Sequence, residues 1–185
     1  MKLFLSIYNV DCQIYQKVNQ HYDQKWLHFF FSRITFLGGA TFTIITCLTL
    51  ALLTTNQLRI TAVASALSLA LSHLPVHVIK GLYPRKRPYL IVEKSKFPLK
   101  ALTDHSFPSG HTTAIFSVII PFILYMPYLS IILIPIGICV GLSRIFLGLH
   151  YPSDVMAGCV LGTAAGITSY LFVIQLTEST LRGIL

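Results

Sequence analysis

Five apolar runs, at about 34–54, 58–79, 112–128, 129–147 and 153–176, leave this 185-residue chain little freedom in what it can become. A bilayer core takes about 20 apolar residues in a helix, and each run approaches that length with scarcely a charge inside it. Backbone groups in hydrocarbon must find their partners within the segment, which makes helices the only element for such runs. The expected fold is therefore all-α: a polytopic membrane helical bundle with five transmembrane helices, or six if the residues before 34 also cross. A composition of 54% hydrophobic and 11% charged residues, with a mean hydropathy of +0.70, excludes an ordinary soluble domain. The third and fourth runs are separated only by Met126, Pro127 and Tyr128, so they form a tight pair. Pro75, Pro121 and Pro135 fall inside runs, where a bundle re-satisfies the freed backbone groups and a kink is expected.

Residues 1–30 differ. Leu3, Phe4, Ile7, Ile14 and Val18 fall near helical spacing while Asp11, Lys17 and Gln20 take other faces, which predicts an amphipathic helix in the membrane interface. Trp26 and Phe29 to Phe31 then serve as an interfacial anchor. Asn9, Asp11 and Gln13 interrupt the first apolar stretch, so no cleaved leader is expected. Cys12, Cys47, Cys139 and Cys159 lack CxxC spacing and predict neither disulfides nor a thiolate metal site. Gly158, Gly162 and Gly166, four residues apart, suit close helix packing. The whole length, 1–185, reads as one domain.

The fourteen cations are unevenly spread. Lys80, Arg85, Lys86, Arg87, Lys94, Lys96 and Lys100 place half of them in one loop, which should attract phosphate or anionic headgroups. Lys94, Lys96 and Lys100 serve equally well as a juxtamembrane flank. In so apolar a chain the partners implied are membrane lipids and not nucleic acid. The spans allow a test free of any motif. None separates the 80–104 loop from SFPSGHTT at 106–113, and two separate that segment from GLSRIFLGLHYPSD at 141–154, so all three emerge on one membrane face.

Cleaving a phosphate ester or anhydride requires cations on the non-bridging oxygens, a nucleophile in line, and a proton for the leaving oxygen. Lys80 ends the second run, and Arg87 follows it beside Pro88, which keeps Arg87 extended. Arg144 adds a planar fork matched to two oxygens. Taken singly, each of these cations also suits a snorkelling anchor. Ser109, Gly110 and His111 open the third run, where free N–H groups and the helix dipole favour an anion. Ser109 is also explained as a simple N-cap, but that leaves His111, placed to protonate a departing oxygen, without a reason. His150 and Asp154 are four apart; in a helical turn the carboxylate would reach the imidazole, fix its tautomer and leave the other nitrogen free to attack phosphorus. A core His–Asp hydrogen bond is the plainer account of the pair. Beside Ser143-Arg144, in a bilayer where ionisable groups are expensive, the functional reading is the stronger one. His73 and His77 share i, i+4 spacing, but Pro75 between them and the lack of a third ligand argue against a metal. Asp104 and His105 flank the PSGH segment and either tune the site or remain solvated.

Taken together, Lys80 with six residues before Arg87-Pro88, then Pro108-Ser109-Gly110-His111, then Ser143-Arg144 followed by His150 and Asp154, resemble the tripartite signature of the type-2 phosphatidic acid phosphatase superfamily. The resemblance covers 80–154 and marks that stretch as the catalytic core. It implies a helical bundle that needs no metal or other cofactor, a phosphohistidine on His150 supported by Asp154, and leaving-group protonation by His111. It further implies that Lys80, Arg87, Ser109, Gly110 and Arg144 hold the phosphate of a lipid substrate. The short chain and five runs look like small bacterial undecaprenyl pyrophosphate phosphatases, and phosphatidylglycerophosphate and phosphatidate phosphatases look similar at this level. The competing class is a non-enzymatic membrane protein that grips lipid headgroups, which explains the cations but not the convergent histidines. Orientation divides the arguments. Under five spans only Arg59 and Arg182 lie opposite the other twelve cations, which by the positive-inside rule places the site in the cytoplasm. The resemblance implies the outer face of a bacterial plasma membrane, and because chemistry holds Lys80, Arg87 and Arg144 in place, the outer face is the expectation adopted.

Overall fold

The structure, a computed structural model, describes the backbone of residues 2–98 and 104–184 and the side chains of 8–98 and 104–180. The side chains of Leu3, Phe4, Ile7 and Arg182, and all of Lys100, lie outside the described residues. Helices α1 (Lys2–Asn19), α2 (Lys25–Ile34), α3 (Ala40–Leu53), α4 (Asn56–Leu82), a single turn α5 (Pro88–Ile91), α6 (Gly110–Tyr125), α7 (Ser130–Phe146) and α8 (Pro152–Ile184) follow in order, with no strand among the described residues. The all-α membrane bundle expected from the apolar runs is the fold found.

Three helical stretches among the described residues are long and apolar enough to cross a bilayer: α4, α7 with the turn before it, and α8. The first run is not a straight helix. Its residues continue α2 through a 3₁₀ turn, Thr35–Gly38, into α3 with a bend of 52°, and the pair makes a fourth crossing only if taken together. The bend is where backbone meets backbone, since a Cβ on Gly38 would lie 2.7 Å from the carbonyl oxygen of His111. The third run forms α6, only 16 residues long. Residues 112–119 are buried without interruption, and α3, α4, α7 and α8 all pack on this helix. A central helix sheathed by others has little lipid-facing length to fill.

Polarity is inverted relative to a soluble bundle. Leu52, Leu53, Leu74, Ile131 and Met156 face outward, while Thr61, Ser65, Ser68, Ser117 and Ser143 are buried. Thr61, Ser65, Ser117 and Ser143 return hydrogen bonds to helix carbonyls, as Ser65 Oγ does to Val118 O at 3.0 Å, so they pack closely at little cost. The α6–α8 contact is closer still: a Cβ on Gly162 would sit 2.4 Å from Thr113 O, and one on Gly166 2.7 Å from Ile120 Cβ. The glycine spacing therefore serves packing.

The amphipathic segment ends at Asn19 and not near residue 30, because a turn separates α1 from α2. Its faces are also used in an unexpected way. Asp11, Tyr15 and Asn19, at i, i+4 spacing, are buried against the bundle, while Val10 and Ile14 are exposed. Asn19 straps α1 down: its Nδ2 donates to Lys96 O (2.8 Å) and Phe146 O (2.9 Å), and its Oδ1 accepts from Lys96 N (2.8 Å). Gly148 makes this crossing possible, with φ +79° and a Cβ position only 2.2 Å from Lys96 O. In the aromatic cluster Trp26 and Phe29 are exposed as an anchor requires, but Phe31 turns inward onto Phe146, 4.7 Å between ring centroids.

Candidate active site at four helix ends

Lys80 lies in the last turn of α4, Arg144 in the last turn of α7, Ser109 caps the start of α6, and Asp154 lies in the first turn of α8. All four ends meet on one side of the bundle, as the even span count requires. Ser109 N donates to Asp154 O at 3.0 Å, which ties the start of α6 to that of α8. The α7–α8 turn is closed by the amides of Leu149 and His150, which both donate to Arg144 O, at 3.0 and 3.1 Å.

Arg87 is almost wholly buried and organises the centre. Its Nη1 donates to Leu149 O (2.8 Å) and stands 3.3 Å from His150 Nε2, and its Nη2 donates to Asp104 Oδ1 (2.6 Å). A guanidinium only donates, so a contact with Nε2 requires the lone pair there and places the imidazole proton on Nδ1. Nδ1 faces Asp154 Oδ2 at 3.6 Å, a close electrostatic contact but too long for a hydrogen bond. The expected helical turn joining His150 to Asp154 is absent: α8 begins at Pro152, and His150 precedes it outside any helix. Burial comes first in setting the basicity of His150; with Arg87 and Arg144 adding to it against the opposing pull of Asp154, the imidazole falls to about 4.

Arg144 is buried, with Nη1 donating to Thr35 Oγ1 at 2.9 Å and Nε without an acceptor. His111 lies within electrostatic reach of Arg144, His150, Lys80 and Arg87. Gly110 leaves open space where a side chain would stand. Ser109 caps α6 by backbone position alone, and its hydroxyl pairs instead with Thr112 Oγ1 at 2.9 Å. Lys80 forms an ion pair with Asp104, which also binds Arg87. Burial would raise that carboxyl, but Lys80 and Arg87 outweigh it and hold it down at about 2. All eight residues singled out in the sequence are thus gathered at one place.

Several participants escaped sequence reasoning. Asp154 is held by Arg85 Nη1 (2.6 Å), Ser106 Oγ (2.5 Å) and the amide of Tyr151 (2.8 Å). Arg85 in turn bonds Asp11 of α1 through Nη2 at 2.8 Å. The only hints were a third cation in Arg85-Lys86-Arg87 and an acid interrupting the apolar face of the first helix. His73 Nδ1 lies 2.7 Å from Leu69 O in its own helix, and no three His, Cys, Asp or Glu side chains among the described residues cluster as metal ligands.

Buried guanidinium groups, a helix N-terminus and two imidazoles converging at one end of an apolar bundle define an integral membrane protein with a site suited to a phosphate oxyanion. Residues 61–178 match the model of the PAP2 superfamily, and the chain belongs to that family. It is 33% identical over 102 residues to the putative undecaprenyl-diphosphatase YbjG of Escherichia coli (strain K12), over 55% of this chain and 49% of that protein. Against the lipid A 1-phosphatase of Rhizobium etli it is 34% identical over 95 residues, 49% of this chain and 41% of the other. The chain thus spans about half the length of these curated relatives. The crystal structure of a PAP2-type phosphatidylglycerolphosphate phosphatase from Bacillus subtilis superposes with a TM-score of 0.73 at 26% identity, covering 94% of this chain and 87% of that one. Aquifex aeolicus LpxE shares the fold at a TM-score of 0.75 and 24% identity, covering 85% of this chain and 92% of that one.

Proposed function

We propose that the chain is a lipid phosphatase that removes the terminal phosphate of undecaprenyl pyrophosphate, releasing undecaprenyl phosphate and inorganic phosphate. The observation that carries this reading is the environment of His150, whose Nε2 lone pair points to the Arg87 guanidinium while Nδ1 faces a buried carboxylate. Lys80, Arg87, Arg144 and the amides opening α6, with Ser109 and Gly110, bind the terminal phosphate oxygens. Nε2 attacks the phosphorus, and the bridging P–O bond breaks with its electron pair going to the leaving oxygen. His111, which takes up a proton as the phosphate anion binds beside it, supplies that proton to the leaving oxygen. Water then attacks the phosphohistidine with His111 as base, the N–P bond breaks, and His150 and inorganic phosphate are regenerated. Asp154 stabilises the charge that develops on the imidazole. The chain's own cations supply the charge neutralisation, so the reaction is expected to be metal-independent.

The undecaprenyl tail is favoured by relatives carrying that activity in their names, from Escherichia coli and Sulfolobus acidocaldarius. In this reading the protein is a single phosphatase domain with its core at 80–154, and it sits in a bacterial plasma membrane with the site outward. A phosphate-release panel with undecaprenyl pyrophosphate, phosphatidylglycerophosphate and phosphatidate, run in detergent with chelator, tests activity and substrate together. Preference for either glycerolipid overturns the substrate, and loss of release on chelation overturns the metal-free mechanism. An alkali-stable, acid-labile phosphoenzyme is expected in wild type and absent in His150→Gln. Ser95→Cys should react with an impermeant thiol reagent in intact cells; protection there, with labelling after lysis, would put the site inside.

A further inference from the structure

The one buried carboxylate beside His150 is itself paired with a cation, which poses an electrostatic problem for the reaction above. Arg85 Nη1 bonds Asp154 Oδ1 at 2.6 Å, and a guanidinium this close cancels the charge Asp154 would offer an imidazole that becomes cationic on phosphorylation. The second acid, Asp11, removes the difficulty. It is 5% exposed, it takes the other arm of Arg85 at 2.8 Å, and it is fixed by Ser153, whose amide donates to Oδ1 at 2.9 Å and whose hydroxyl donates to Oδ2. Two carboxylates around one guanidinium leave a net charge of minus one.

The geometry matters as much as the sum. With one arm committed to Asp11, Arg85 gives Asp154 a single N–H, and Asp154 Oδ2 stays with Ser106, the Tyr151 amide and the imidazole edge. Without Asp11, a largely buried guanidinium with a free arm would close on Asp154 as a bidentate pair and draw the carboxylate from His150. The Arg85 guanidinium carbon lies over the Tyr151 ring, 3.9 Å from its centroid, which holds the fork against the protein.

We propose that Asp11, in the first helix, is a positioning residue for the reaction at His150: by holding one arm of Arg85 it keeps Asp154 charged and turned toward the imidazole. The proposal rests on the reading of His150 as nucleophile. It gives α1 a part in turnover, because the helix that lies on the outside of the bundle completes the charge balance of the buried site.

The test compares Asp11→Asn with the double variant Asp11→Asn/Arg85→Gln in purified full-length protein, with kcat and KM measured on undecaprenyl pyrophosphate. Asp11→Asn should lower kcat about tenfold, with KM within about twofold of wild type, because substrate oxygens are bound elsewhere. Removing the cation as well restores the net charge, so the double variant should recover most of the lost kcat. A merely structural role predicts the reverse, since the double loses more hydrogen bonds than the single. Unchanged kcat in Asp11→Asn, or a double variant slower than the single, overturns the proposal. If Asp11→Asn does not fold, the double is read against wild type: kcat within about threefold supports the proposal, and a loss of tenfold or failure of both to fold makes Asp11 a stability residue and overturns it. His150→Gln separates this from the reading beneath it. Retained turnover there removes the nucleophile itself, whereas a dead His150→Gln beside a wild-type-like Asp11→Asn removes only the role of Asp11.

Discussion

The α6–α8 seam and the four helix ends beside it are both tightly packed, but for opposite reasons. Along the seam, Gly158 and Gly162 let helix backbones touch, and Gly166 makes room for the Ile120 side chain. At the helix ends, Arg85, Arg87, Arg144, Asp11 and Asp154 are buried or nearly so and are held by charge-assisted bonds of 2.6–2.9 Å between segments far apart in sequence. The seam should tolerate any chemistry that adds no volume, and the site should tolerate a change of shape more readily than a change of charge.

The sharpest way to break that contrast is His150→Gln, which keeps volume and hydrogen bonding but removes the proposed nucleophile. It should cost at least about 10⁴ in kcat while melting near wild type; appreciable turnover would dismiss the site. Asp154→Asn, isosteric and still a hydrogen-bonding group, should cost on the order of 10³–10⁴ in kcat with little change in KM. A loss under tenfold would mean the carboxylate is packing only. Gly162→Ala inverts the pattern: overpacking against Thr113 should destabilise by about 1–3 kcal/mol in thermal unfolding while each folded molecule keeps its kcat. Asp104→Asn should move least. Freeing Lys80 and Arg87 from a half-exposed carboxylate should lower KM for lipid phosphate severalfold, and a raised KM would show that Asp104 binds substrate.

The pH profile sharpens the same comparison. His150 is held at about 4, below the 6.5 of a free imidazole, so its nucleophilic form persists well into acid, and kcat/KM should rise as pH climbs through about 4. The linkage has a definite sign. A folded pKa below the unfolded one gives stability that is full above 6.5 and lost as pH falls from 6.5 to about 4. An acid limb centred near 6.5 instead would mean that His150 titrates as if exposed.

The sequence made the charged side chains legible because an ionisable group beside an apolar run is expensive and needs a reason. Lys80, Arg87, His111, Arg144, His150 and Asp154 all met that criterion, and span parity alone placed them on one face. The partners were not legible. Arg85 and Asp11 are 74 residues apart, and nothing in a hydropathy pattern distinguishes Arg85 from Lys86 or a buried Asp11 from a solvated one. The bend at Gly38 and the short, central α6 were hidden for a related reason: apolar runs report that a segment avoids water, not whether lipid or protein covers it.

Placing the reactive groups where helices end, and not along their middles, has a consequence for how a lipid is handled. For the proposed lipid substrate, the long chain would stay dissolved in its own leaflet while only the headgroup is worked on, so reactant and catalyst would meet by lateral diffusion in two dimensions. Turnover at low loading should then follow the mole fraction of lipid in a vesicle and be indifferent to its bulk concentration.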